Sequence, residues 1–220
     1  MEEVVIFGTG ELAEVIYFLL SESKEYKVVA FTVDREYLKE DKIYGLPVLP
    51  FEDIEKYFSC ESVKMFIAVG YSKLNMIREQ KFLEAKKKGY SCITYIHPSA
   101  TVASNVKIGE NCFIFEDNTI QPFVTIEDNC ILWSGNHIGH HTTIRKNCFV
   151  TSHVVISGGC EIGQNTFIGV NATLRDHIKI GKFNVIGAGA IILSSTEDNQ
   201  VFISQRTEPA NITSDKLKRI

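Results

Sequence analysis

The chain has 220 residues, 45% of them hydrophobic and 23% charged, which suits one large soluble domain or two small ones with a sizeable core. Lys plus Arg 23 against Asp plus Glu 27 leaves a net charge of −4 with no basic stripe, arguing against nucleic acid or an anionic membrane as partner. No apolar run approaches the ~20 residues of a membrane helix and Met1-Glu2-Glu3-Val4 lacks the basic region of a signal peptide, so a cytoplasmic location is expected.

Val4 to Gly8 is a short apolar run that ends in Gly8-Thr9-Gly10, and Glu11 to Leu20 follows with helical spacing. This reads as strand, tight glycine turn, helix. A second run, Tyr26 to Val33, ends in Asp34, and a third, Lys64 to Val69, ends in Gly70-Tyr71-Ser72-Lys73 before a charged helical stretch to about Lys88. Strands alternating with helices predict a small parallel sheet whose strand ends face a ligand. Glycines at a helix start let backbone N–H groups approach phosphate, and an acid closing the second strand commonly accepts ribose hydroxyls. Gly8, Gly10, Asp34, Gly70, Tyr71 and Lys73 are therefore the candidate nucleotide contacts. The third glycine of G-x-G-x-x-G is replaced by Ala13, and fewer than a hundred residues make one half-fold with room for one nucleotide. A nucleotide-linked substrate fits that size better than NAD. The competing reading is a glycine turn without any ligand.

From Ile96 the sequence is periodic. Every sixth residue through Ile186 is Ile, Val or Leu, sixteen in succession. Position five of each hexapeptide is small except at Ile178, as an interior shared with the aliphatic position requires. Position four is dominated by Asn, Asp, Gly and His, the residues that tolerate a left-handed backbone, so it reads as a corner. Three corners per turn give an 18-residue coil and a triangular prism of parallel strands. Cys112, Cys130 and Cys148 lie 18 apart at the inward position, and Cys160 points inward from another face. Small buried thiols behave as hydrophobes, so packing explains them better than disulfides or metal. The outward row Phe113, Phe115, Ile131, Trp133, Phe149 and Phe167 stands beside a polar face of Lys107, Glu127, Arg145, Glu161 and Lys179. That apolar stripe is expected to form the contact between subunits.

A glycine-rich α/β unit, 1–95, ahead of an uninterrupted hexapeptide helix, 96–191, and a tail, 192–220, resembles the bacterial nucleotide-sugar N-acetyltransferases. These are hexapeptide-repeat acyltransferases of the bacillosamine and GDP-perosamine type, grouped with the sialic acid O-acetyltransferases. The resemblance rests on Val5-Ile6-Phe7-Gly8-Thr9-Gly10, Ala68-Val69-Gly70-Tyr71, Ser134-Gly135-Asn136-His137-Ile138-Gly139-His140-His141 and Ser152-His153-Val154-Val155-Ile156-Ser157-Gly158-Gly159. It implies a Rossmann-like N-terminal unit and a left-handed parallel β-helix, where the usual crossover rule alone would suggest the opposite hand. It also implies a homotrimer that binds a nucleotide-linked amino sugar in the N-terminal unit and acetyl-CoA along the β-helix between subunits, as in O-antigen and other glycan biosynthesis. Gly158, Val170 and Ala188 are the coenzyme contacts so expected. The sequence departs from the family where His140 is followed by His141 in place of a carboxylate, where Glu11-Leu12 follows Gly10 in place of a histidine, and where Thr207-Glu208-Pro209-Ala210-Asn211 replaces Gly-x-Pro-Ala-Lys.

Among the six histidines, His141, His153 and His177 sit at corner positions that favour the residue for backbone reasons, and His97 lies at the junction before Pro98. His137 is outward. His140 occupies a third position filled elsewhere by residues such as Pro, Ser, Glu or Lys, so no packing rule demands imidazole there. It is the candidate general base, taking the proton from a sugar amine as the amine attacks the thioester; imidazole titrates near neutrality and suits the task. Gly158, one coil above His140, is the candidate backbone N–H donor to the oxyanion. Alternatives are sugar O-acetylation of the sialic acid type and a non-catalytic nucleotide-sensing trimer. A zinc site of the β-helical carbonic anhydrase type has two histidines, 141 and 177, without a third ligand nearby, so no metal is expected.

Overall fold

The computed structural model describes residues 1–216, so the last four residues of the expected tail lie outside the described residues. In chain order the N-terminal unit holds β1 (Glu2–Phe7), α1 (Glu11–Glu22), β2 (Tyr26–Val33), β3 (Lys42–Ile43), β4 (Leu46–Pro50), β5 (Lys64–Ile67) and α2 (Met76–Lys87). The strands run β3-β4-β2-β1-β5, all parallel except for the β3–β4 hairpin. Val4, Val5 and Ile6 are all buried, because a central parallel strand is covered on both faces and so reads as a continuous apolar run. α1 covers one face through Ala13, Ile16 and Leu20, while α2 and the 3-10 turn Phe51–Lys56 cover the other through Phe82, Ala85, Phe51 and Ile54. The β3–β4 hairpin does not stand out in the sequence, since Pro47 and Pro50 interrupt its apolar pattern.

From Tyr95–Ile96 onward the chain lays down a two-residue strand every six residues, forming three parallel sheets. Register is 18 residues per coil: Thr119 pairs with Thr101 and His137, and His137 with Val155. The aliphatic positions from Ile114 to Ile186 fill the interior together with Cys112, Cys130, Cys148 and Cys160, all free thiols. Fourth-position residues from Asn111 to Gly189 are left-handed, Phe123 and Phe183 included. The stack continues through Ile191–Ile192 and Val201–Phe202, past residue 191.

One face of the prism carries the N-terminal unit. Phe113, Ile131 and Phe149 share a core with Val4, Ile6, Ala13, Ile16 and Phe66, and Phe115, Trp133 and Phe167 sit at its margin. This corrects the expectation that the same stripe binds another subunit. Outward apolar side chains record that a face is covered, and here the chain's own α1 and sheet cover it. A polar seam runs beside that core. Asn111, Asn129, Asn147 and Asn165 form a side-chain column, each amide donating to the next (2.7, 2.8 and 3.4 Å), with Ile67 N–H donating to Asn111 Oδ1 (2.8 Å) and Asn165 donating to Glu79 of α2 (3.0 Å). Arg78 of α2 is fully buried against this column. Its N–H groups donate to Asn129 Oδ1, Asn75 Oδ1 and the carbonyls of Val69, Asn129 and Cys148, at 3.0–3.3 Å, five bonds for the five donors of a guanidinium. Burial pushes its pKa down to about 10.

Candidate active site: a cleft and a histidine corner

Between the two units lies a cleft of about 640 Å³. Its N-terminal wall is Gly10, Glu11, Leu12, Val15, Ala68, Gly70 and Tyr71; its other wall is Trp133, Phe149, Thr151, Ser152 and Val170 of the prism. The fold thus brings Gly10, Gly70, Tyr71 and Val170 into one space. Gly10 caps α1, and a Cβ on Gly10 or Gly70 would meet nothing within 4 Å, so the backbone there stays open to a ligand. Tyr71 leans on Phe149 and Phe167, ring centroids 5.1 and 5.0 Å away, and closes one side. The sequence marked Ser152 only as part of a motif and gave Trp133, Phe149 and Thr151 no part in a site. Their outward positions beside an apolar stripe were the available signal, and only the docking of the N-terminal unit turns them into a wall.

Other sequence candidates fall elsewhere. Gly8 is not a lining residue; its φ of 120° and the approach of Ala68 O, 2.7 Å from where a Cβ would stand, explain glycine there by crowding between β1 and β5. Asp34 forms an ion pair with Lys81 at 2.8 Å and lines a separate polar cavity of about 1020 Å³ with Arg35, Glu52 and Lys88. Lys73, Leu74 and Asn75 form a left-handed run (φ 51°, 50° and 64°) that leads into α2, and Lys73 is exposed outside the cleft. Ala188 is exposed on the same prism corner as Ser152 and Val170, one coil above Val170.

His140 lies on a different corner, between the sheet containing His137–Ile138 and the sheet containing Thr143–Ile144. It is exposed, and its backbone N–H donates to Gln121 Oε1 at 2.9 Å. The imidazole lies over Gly158: a Cβ there would stand 2.7 Å from Cε1 and 2.8 Å from Nε2. Gly158 thus leaves both room for the ring and an approach to it. His140 Nδ1 faces His141 Nδ1 at 3.1 Å, and the His141 ring stacks on Phe123. His153 and His177 are left-handed corner residues, and His97 Nδ1 meets Ser99 Oγ at 2.9 Å at the junction. Among the described residues no three His, Cys, Asp or Glu side chains gather as metal ligands do, and no helix is long and apolar enough to cross a membrane.

The PglD N-terminal domain family matches residues 3–84 and the GMPPB C-terminal domain family residues 91–201. No curated protein matches the chain in sequence. Among solved structures, a histidine-to-asparagine variant of perosamine N-acetyltransferase from Caulobacter crescentus, in complex with CoA and GDP-perosamine, is 24% identical over 91% of this chain and 93% of its own, with a TM-score of 0.81. The acetyltransferase domain of PglB from Neisseria gonorrhoeae FA1090 is 25% identical over 91% and 96%, TM-score 0.63. WeeI from Acinetobacter baumannii AYE is 18% identical over 91% and 96%, TM-score 0.59. All share the succession of a Rossmann-like unit and a left-handed β-helix. A stretch, 3–84, that matches the PglD N-terminal domain family stands first, and through residues 91–201, half its length, the chain belongs to the GMPPB C-terminal domain family.

Proposed function

We propose that the chain transfers the acetyl group of acetyl-CoA to the amino group of a nucleotide-linked amino-deoxysugar, with His140 as general base. In this reading residues 1–95 hold the nucleotide sugar and 96–191 the coenzyme. The observation that carries it is the cleft shared by the glycine turn and the prism, which joins Gly10, Gly70 and Tyr71 to Val170 in one space. Perosamine N-acetyltransferase, of the same fold, holds CoA and GDP-perosamine, and the PglB domain holds acetyl coenzyme A. The amine lone pair attacks the thioester carbonyl carbon, His140 Nε2 takes the amine proton, the carbon–sulfur bond breaks, and the proton passes to the departing thiolate. Gly158 N–H, beside the His140 ring, donates to the oxyanion.

His140 is not a lining residue of its own chain's cleft. The two half-sites bound a common prism face, whose outward rows read Thr101, Thr119, His137, Val155, Thr173 and Ile191, then Ala103, Gln121, Gly139, Ser157, Arg175 and Leu193. Arg175 is the one residue in these rows with a permanent charge. Val155, Ile191 and Leu193 are exposed there, 39%, 67% and 60%, whereas the third face carries the ion pairs of Arg145 with Glu127 and Glu161. We infer a homotrimer closed through this face, so that the cleft of one copy meets His140 of the next. Six free thiols accord with a cytoplasmic, reducing location.

The test is coenzyme A release with a panel of nucleotide-linked 3-amino and 4-amino deoxysugars, compared with hydroxyl acceptors. His140→Asn is expected to lower turnover about 10²–10⁴-fold with little change in substrate affinity, because the lost interaction acts on proton transfer in the transition state. Near wild-type turnover in that variant would overturn the assignment.

A further inference from the structure

His140 and His141 present their Nδ1 atoms to each other across 3.1 Å. Two neutral imidazoles make that contact only when one Nδ1 carries a hydrogen and the other offers its lone pair. A general base at Nε2 of His140 requires the hydrogen on Nδ1 of that ring. His141 is then the acceptor at Nδ1 and carries its own hydrogen on Nε2. The two rings stand at 85° with centroids 5.2 Å apart, so the in-plane lone pair of one can meet the N–H of the other.

The His141 ring is itself held. It stacks on Phe123 of the preceding coil, centroids 4.7 Å apart and planes 24° from parallel. Phe123 is left-handed at φ 65° and 60% exposed, at a corner position that most coils give to Asn, Asp, Gly or His. The exposed Phe123 ring thus supports the His141 imidazole from a backbone conformation that a bulky residue rarely adopts. We propose that His141, seated on Phe123, is a positioning residue that fixes the tautomer of His140 and stabilises the imidazolium formed when His140 takes the amine proton. The proposal rests on the reading of His140 as the base.

The adjoining coils set no charged group against the pair. The coil before it contributes Gln121, Pro122 and Phe123 and the coil after it Ser157, Gly158 and Gly159, none of them titratable; Asp176 and His177, 3.9 Å apart, lie two coils up the same corner. With a hydrogen on both Nδ1 atoms the two N–H groups would stand face to face, so the contact holds only one.

Three variants of His141 and one spectrum test this. His141→Gly deletes the ring at a backbone that glycine adopts freely, so the fold should keep its melting temperature while turnover falls about tenfold to a hundredfold at unchanged KM, less than the ~10⁴ lost when a buried carboxylate partner fails. His141→Asn puts an amide oxygen where Nδ1 stands and should restore most of that loss. His141→Asp should move the acid limb to higher pH by about one unit, because a carboxylate favours the imidazolium. In protein labelled with ¹⁵N-histidine, the ring spectrum should show the His140 hydrogen on Nδ1. Turnover lost in His140→Asn but kept in His141→Gly with an unmoved acid limb would overturn the positioning role alone, as would a hydrogen found on His140 Nε2. Turnover kept in His140→Asn would overturn the base assignment itself.

Discussion

At the scale of single residues, Arg78 is the side chain whose role the sequence conceals. It lies within a stretch, Asn75 to Lys88, that reads as a solvated charged helix, yet the side chain is fully buried with its donors on five oxygens from both units. A lone buried cation is tolerable because carbonyl dipoles surround it, and removing the guanidinium would take the donor from Val69 O, Asn75 Oδ1 and Asn129 O, whereas Asn129 Oδ1 keeps the Asn111 amide and Cys148 O keeps the Ile131 N–H. Arg78→Met should therefore destabilise the protein by about 3 kcal/mol or more in denaturant titration, since each orphaned buried acceptor costs roughly 1–3 kcal/mol. Arg78→Lys should recover only part, because an ammonium has three donors for five acceptors. The proposal for His140, by contrast, starts from the sequence, because the repeat defines what each position needs for packing and an imidazole at 140 answers no such need. The glycine turn was legible as a turn, but the close approach of Ala68 O to Gly8 is a tertiary fact that no local spacing encodes.

At the scale of elements, the coils follow from the six-residue period, a local pattern that survives in one sequence because every coil repeats the same in–out alternation. The Asn column is only half visible: the period marks these residues as corners, and the docking of α2 makes them a buried ladder. Buried thiols in both units give the protein a pH signature. Burial pushes Cys92 up to about 12 and pushes Cys112, Cys130 and Cys160 upward from an ordinary value of 9.0. Above pH 9 the unfolded chain loses these protons while the folded chain keeps them, so their contribution is intact below 9 and is lost as pH rises toward the folded values. Each buried thiol should cost about 1.4 kcal/mol per pH unit in that window. Arg78, whose pKa is lowered to about 10, works in the opposite direction above that value, but it is one group against four. Urea midpoints measured from pH 8 to 11 should fall steadily, and a flat profile would contradict the buried column.

At the scale of the whole molecule, the apolar stripe from Phe113 to Phe167 was legible as a covered face, but its partner was not. An intramolecular and an intermolecular neighbour leave the same mark on a sequence. The shared-site arrangement predicts complementation. Val170→Trp should block the cleft and His140→Asn should remove the base, so each alone is inactive, while co-expressed mixed trimers should regain a measurable fraction of wild-type turnover by pairing an intact cleft with an intact His140. No recovery in mixed assemblies shown to contain both chains would place the whole site in one copy. Light scattering should give three chains per particle at micromolar concentration, and Ile191→Lys with Val155→Lys should shift it toward one.

The Arg78–Asn seam also limits how far the two units can be exchanged by recombination. A foreign N-terminal unit grafted at residue 90 would have to bring an arginine at the equivalent of position 78 and meet asparagines at 111, 129 and 147. Without that match, the graft would bury unpaired polar groups between two otherwise well-made halves. Two halves joined in this way have to be exchanged together to keep the seam paired, and a change in what the cleft accepts is more readily reached by substitution within it than by exchange of the unit that forms its outer wall.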